Sequence, residues 1–231
     1  MYLINAVGID LATVNSGISH IQMRVGEWKP RIIQAEAFCT PVAMIPKFKG
    51  HLFIAKGILK FISDISKNGH RPDIIGIEDY TNQKFSHVAF SMGEMGGSVR
   101  TLLHQTGVRM INIATSKAKS LVQATMKFDG DEVVADYKYN KKVIVEWVKK
   151  RYKQEFEGAQ KEISDMSDAS VYSYIAACFF SEHFLQEHVP LLDREKTMFA
   201  NQNRRGLLDK PEAFLIRNVE KEAEFYGTDV S

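Results

Sequence analysis

The chain has 231 residues, 45% hydrophobic and 25% charged, with a formal net charge of +2. That balance excludes a disordered or collagen-like chain and fits an ordinary globular protein of one well-cored domain plus an appendage, or of two small domains. Two isolated cysteines, Cys39 and Cys178, exclude a disulfide framework and predict a reducing, cytoplasmic setting. The longest apolar run, residues 174–180, falls far short of the roughly 20 residues needed to cross a bilayer, and Met1-Tyr2-Leu3-Ile4-Asn5 lacks the basic start of a secretory leader. No membrane partner is expected.

Residues 4–11 read as a buried strand, followed by strands over 18–25 and 31–38. The turns between them, at Asn15-Ser16-Gly17 and at 26–30, are short and predict an antiparallel meander. Leu52, Ala55, Leu59 and Ile62 recur at helical spacing, which predicts a helix over 51–67 that stops at Asn68-Gly69. A strand over 73–78, a helix over 86–105 and a strand over 108–113 then imply parallel neighbours joined by right-handed crossovers. A short helix over 116–124, a polar loop over 127–139 and an amphipathic helix over 140–156 follow. Residues 165–185 form a long helix, apolar nearly all round, that should lie against the sheet. After Pro190 the chain turns polar, so residues 1–186 are expected to form the domain and 187–231 a C-terminal extension. The fold class is α/β: a mixed five-stranded sheet, a three-strand antiparallel meander plus parallel strands, flanked by helices. That is the strand order of an RNase H-like fold.

Carboxylates in three separated places stand out. Asp10 closes Val7-Gly8-Ile9-Asp10, Glu78 closes Ile74-Ile75-Gly76-Ile77-Glu78, and Asp165 and Asp168 stand at i and i+3 of the last long helix. An ionised carboxylate at the end of an apolar strand is costly without a cationic partner. Acids from two strand ends and one helix start could meet at one sheet edge, where their mutual repulsion calls for divalent metal. An all-oxygen donor set with no His or Cys favours magnesium or manganese over zinc. Each site also has a plainer reading. Asp10 could be a turn acid or, as in sugar kinases, actin and heat-shock chaperones, part of a loop that faces ATP phosphates. Asp165 and Asp168 could cap a helix N-terminus. Strand alternation turns Asp79 to the face opposite Glu78.

Taken together, these motifs resemble the RuvC-type Holliday-junction resolvases, including their phage and poxvirus relatives, over roughly residues 3–183. In that family the acids close strand one, close strand four and form a D-x-x-D at the start of the final helix, which are the places of Asp10, Glu78, Asp165 and Asp168. Met92-Gly93-Glu94-Met95-Gly96-Gly97-Ser98-Val99 is similar to the family's small-residue helix. Thr115-Ser116-Lys117-Ala118-Lys119 is similar to its P-x-x-V-K stretch, with Thr115 in place of proline and Lys119 at the lysine. A second family lysine matches Lys141 or Lys142, and Tyr80 and Phe85 bracket the family's aromatic.

The resemblance implies a structure-selective endodeoxyribonuclease acting on four-way junctions or other branched DNA, in host cytoplasm if the protein is viral. It implies two Mg2+ or Mn2+ ions held by the four acids, leaving 5′-phosphate and 3′-hydroxyl ends. Lys117, Lys119, Lys141, Lys142, Tyr80 and Phe85 would contact DNA, and Lys119 would also act in catalysis. Residues 117–153 hold ten Lys/Arg against five Asp/Glu, a local +5 that fits such a surface. Paired incision of a two-fold symmetric junction calls for a homodimer, with the Gly93/Gly96/Gly97 helix as its expected contact. The remaining alternatives are an ATP-binding member of the kinase and chaperone superfamily, an RNase H-like nuclease acting on flaps or RNA, and a non-catalytic DNA-binding module.

Overall fold

The computed structural model describes residues 1–40, 47–79, 86–126, 140–189 and 215–226. Strands β1 (Leu3–Asp10), β2 (Asn15–Arg24) and β3 (Pro30–Cys39) form the expected antiparallel meander. Helix α1 (Lys47–Lys67) returns the chain to β4 (Ile74–Asp79), which pairs in parallel with β1. Helix α2 (Ser86–Thr106) makes the second crossover to β5 (Met110–Ala114), parallel to β4. Helices α3 (Thr115–Met126), α4 (Lys141–Tyr152) and α5 (Gln160–Phe180) follow, and α5 runs on into a π-helical turn, Ser181–Leu185. Tyr80, Phe85 and the expected loop over 127–139 lie outside the described residues.

Alternation along the strands separates two cores. Ile4, Ala6, Ile21, Met23 and Ile74 pack with Val143, Trp147 and Val148 of α4 and Val171, Ile175 and Phe179 of α5. Val7, Ile9, Ile18, Ile75 and Ile77 pack on the other face with Ile54, Ile58 and Phe61 of α1 and Met95, Val99 and Leu103 of α2. Apolar side chains therefore cover both faces of β1 and β4, as near-continuous hydrophobic strands require.

Two expectations are corrected. The sheet has six strands rather than five, in the order β3-β2-β1-β4-β5-β6, because β6 (Leu215–Ile216) adds antiparallel to the free edge of β5. Two residues are too few to leave a periodic signal. Helix α5 starts at Gln160, five residues before the expected Asp165. Its first turn is polar, and Glu162 reaches back to accept from the Ala159 N–H at 3.0 Å. The capping role weighed for Asp165 and Asp168 thus belongs to Glu162.

The segment after β6 is fastened to the sheet by helix α6 (Val219–Tyr226). Arg109 pairs with Glu222 at 3.2 Å, each side chain only 7% exposed, and Arg217 reaches the same carboxylate at 2.7 Å. The Arg109 guanidinium lies 4.3 Å from the Tyr226 ring centroid, and the Tyr226 hydroxyl donates to the Asp73 carbonyl at 3.0 Å. Removing one partner of a buried pair strands the other's charge, so Glu222→Ala should cost about 3 kcal/mol in urea unfolding. Glu224→Ala, which breaks only the exposed contact with Lys221, should cost less than about 1 kcal/mol.

Candidate active site

Asp10 and Glu78 reach one face of the sheet by the same alternation. Asp10 shares its side of β1 with Ile4 and Ala6, and Glu78 shares its side of β4 with Ile74. That face is covered by α5. Asp79 keeps the parity of Ile75 and Ile77 and turns toward α1 and α2. The two strands run in parallel register from Ala6↔Ile74 to Ile9↔Ile77, so Asp10 and Glu78 stand side by side at their C-terminal ends.

Helix α5 delivers its acids to the same place by an unusually close approach. A Cβ at Gly8 would lie 1.9 Å from the Ala169 carbonyl oxygen, and one at Gly17 would lie 2.0 Å from the Asp165 carbonyl oxygen. Gly17 is the cross-strand partner of Asp10. The backbone of Asp165 therefore rests on the residue opposite Asp10, and the Ser170 hydroxyl hydrogen-bonds that of Ser19 at 2.9 Å one pleat further along. Asp165, Asp168 and Tyr172 follow at i, i+3 and i+7, one stripe of the helix.

The resulting electrostatics are those of a self-repelling cluster. Burial, and then the charges of Glu78, Asp168 and Asp165, push the Asp10 carboxyl well above its ordinary range. Burial likewise raises Asp165, against the pull of Lys141 and Lys161. Tyr172, buried against Glu78, Asp10 and Asp168, is raised for the same reasons and stays protonated. Glu78 accepts from the Thr115 hydroxyl at 2.7 Å, and Arg100 donates to the Glu78 main-chain carbonyl at 2.6 Å.

The expected lysines are distributed unequally. Lys141, at the start of α4, places its ammonium 3.5 Å from the Asp165 carboxylate, whereas Lys142 is solvent-exposed. Lys117 and Lys119 are half-buried on α3. Gly93 and Gly97 face open space on α2 rather than packing closely within the chain. Sequence reasoning missed Thr115, Tyr172 and Arg100 as partners of the acids. Only Tyr172 left a signal, its helical spacing from Asp165 and Asp168.

The donor set suits a hard divalent cation: every candidate ligand is a carboxylate oxygen, and Asp165 Oδ2 is buried with no hydrogen-bond partner. Among the described residues, however, no three His, Cys, Asp or Glu side chains are gathered into a ready-made metal cage. Asp10 faces the charge of Glu78, and Asp165 turns to Lys141. The Lys141 ammonium thus offsets part of the repulsion that a cation would otherwise offset.

Because the folded-state pKa of Asp10 is raised, the stability penalty it imposes is absent below the unfolded value of about 4. The penalty grows as pH rises toward the native value and is fully present above it. Asp10→Asn should therefore raise the melting temperature in EDTA at pH 7–8, with the difference from wild type fading as pH falls toward 4. A constant difference across that window would contradict the charge cluster.

No protein-family model and no curated protein matches the sequence. Solved structures do match. Thermus thermophilus RuvC in complex with a Holliday junction substrate superposes with a TM-score of 0.55 at 16% identity, covering 74% of this chain and 91% of that one. A second Thermus thermophilus RuvC structure gives 0.56 at 16% identity, covering 81% and 100%. The yeast mitochondrial Holliday junction resolvase gives 0.50 at 11% identity, covering 74% and 76%. Among the described residues no helix is long and apolar enough to cross a membrane. The chain has the fold of the RuvC-type resolvases, a mixed RNase H-like sheet flanked by helices.

Proposed function

We propose that the protein is a metal-dependent endonuclease that resolves four-way DNA junctions by paired phosphodiester hydrolysis. The observation that carries this reading is the meeting of Asp10, Glu78 and the acids of α5 on one face of a RuvC-like sheet, seated there by Gly8 and Gly17. Asp10, Glu78, Asp165 and Asp168 would hold magnesium or manganese. When bound, such ions supply Lewis acidity, activating water and stabilising charge at the leaving oxygen. A bound cation would offset the repulsion between Asp10 and Glu78, and release of Lys141 from Asp165 would free its ammonium for a phosphate oxygen. Lys117, Lys119 and Lys142 would add phosphate contacts, which fix position without reading sequence. Branch geometry and deformability are then the features left for recognition. No second phosphate-binding loop of the ATPase type is found in the sequence, so the ATP-binding reading is set aside.

The test is cleavage of labelled four-way junctions, flaps, Y-forks and RNA–DNA hybrids with magnesium or manganese. Asp10→Asn, Glu78→Gln and Asp168→Asn should each abolish cleavage of the four-way junction and leave junction binding intact or tighter. Asp79→Asn, on the opposite face, should cleave normally. Folded wild-type protein that cuts no branched substrate with either metal would sink the proposal.

A two-fold junction needs two active sites at matched separation, which a homodimer provides. The open Gly93/Gly97 face of α2 is the surface expected to meet its copy. Light scattering should return twice the monomer mass, and Gly97→Trp should shift it toward the monomer.

A further inference from the structure

Glu78 is held by residues outside the four carboxylates. Thr115 Oγ1 donates to Glu78 Oε1 at 2.7 Å. A threonine hydroxyl has a single hydrogen, and here it is committed to Glu78. The bond ends on one carboxylate oxygen, leaving Oε2 as the other acceptor. The backbone is fixed as well: Arg100 Nη2 donates to the Glu78 carbonyl at 2.6 Å, while its Nε donates to Asn112 Oδ1 on β5 at 2.9 Å. Sequence places Thr115 where the RuvC-type pattern has a proline, which has no hydroxyl to donate.

We propose that Thr115 is a positioning residue that fixes the Glu78 carboxylate in one rotamer with a single oxygen left for a divalent cation. The proposal rests on the metal-dependent reading above. Free to rotate, Glu78 would turn its oxygens toward Asp10 or away into solvent. The bond from Thr115 confines it, so less ordering is left for the cation to impose. Hydrogen-bond partners of metal ligands contribute about 10–100-fold to metal affinity in general.

The experiment is calorimetric titration of the full chain with Mn2+, without DNA, alongside melting in EDTA. Thr115→Val keeps the shape and removes the donor, and should weaken Mn2+ binding by about 10–100-fold. Thr115→Ser should restore wild-type binding. Thr115→Ala, which also removes the donor, should give a like loss, and it keeps the question answerable if Thr115→Val melts early. Wild type that binds Mn2+ together with Thr115→Val and Thr115→Ala that bind it equally well would overturn the positioning role alone. Wild type that binds no Mn2+ would overturn the metal-dependent reading and this proposal with it.

Discussion

The contact between the α5 backbone and the sheet sets everything at the site. Most helices pack on sheets through side chains, but here carbonyl oxygens of Asp165 and Ala169 fall where Cβ atoms of residues 17 and 8 would be. Only glycine leaves that space. Facing residues on the helix are correspondingly small, with Ala169, Ser170, Ser173 and Ala176 buried toward the strands. The serines satisfy themselves within the helix or across to β2: Ser170 and Ser173 bond to carbonyls one turn back, and Ser170 also reaches Ser19. Close seating lets acids on short side chains approach Asp10 at the sheet surface. A helix held at ordinary side-chain distance would carry them out of reach.

That proximity has an electrostatic cost, and the surroundings show how it is met. Each extra carboxylate near Asp10 raises the free energy of its ionised form. The folded protein answers with an ammonium on Asp165 and a neutral hydroxyl donor on Glu78. The back of the site, by contrast, is rigid and apolar, with Val171, Ile175 and Phe179 of α5 packed against Ile74 and Ala6. Repulsion is tolerated at one end of the helix because burial stabilises the other.

Much of this was legible in the sequence for identifiable reasons. Strand parity put Glu78 and Asp79 on opposite faces, and the apolar runs ending in Asp10 and Glu78 located two of the three acid-bearing elements. The start of α5 was misplaced because Gln160, Lys161 and Glu162 carry no apolar periodicity, although they form its first turn. The sixth strand was invisible at two residues. Thr115 looked like a flaw in a motif, since a hydrogen bond between residues 37 apart has no local signature. Lys141 and Lys142 were indistinguishable until Asn140 fixed the phase of α4 by capping it through Val143.

The same geometry explains how a chain of net charge +2 could handle a polyanion. A bare cluster of acids repels phosphate, so affinity must come from cations placed around it rather than from overall charge. The lysines of α3 and α4 would meet that need: Lys141 sits at the rim in contact with Asp165, Lys142 points to solvent beside it, and Lys149, Lys150 and Arg151 close the far end of α4. The last turn of a helix is also where cations are stabilised by its dipole. One helix therefore joins the acidic centre to a basic flank, and its apolar side, Val143, Ile144, Trp147 and Val148, is packed into the α5 core.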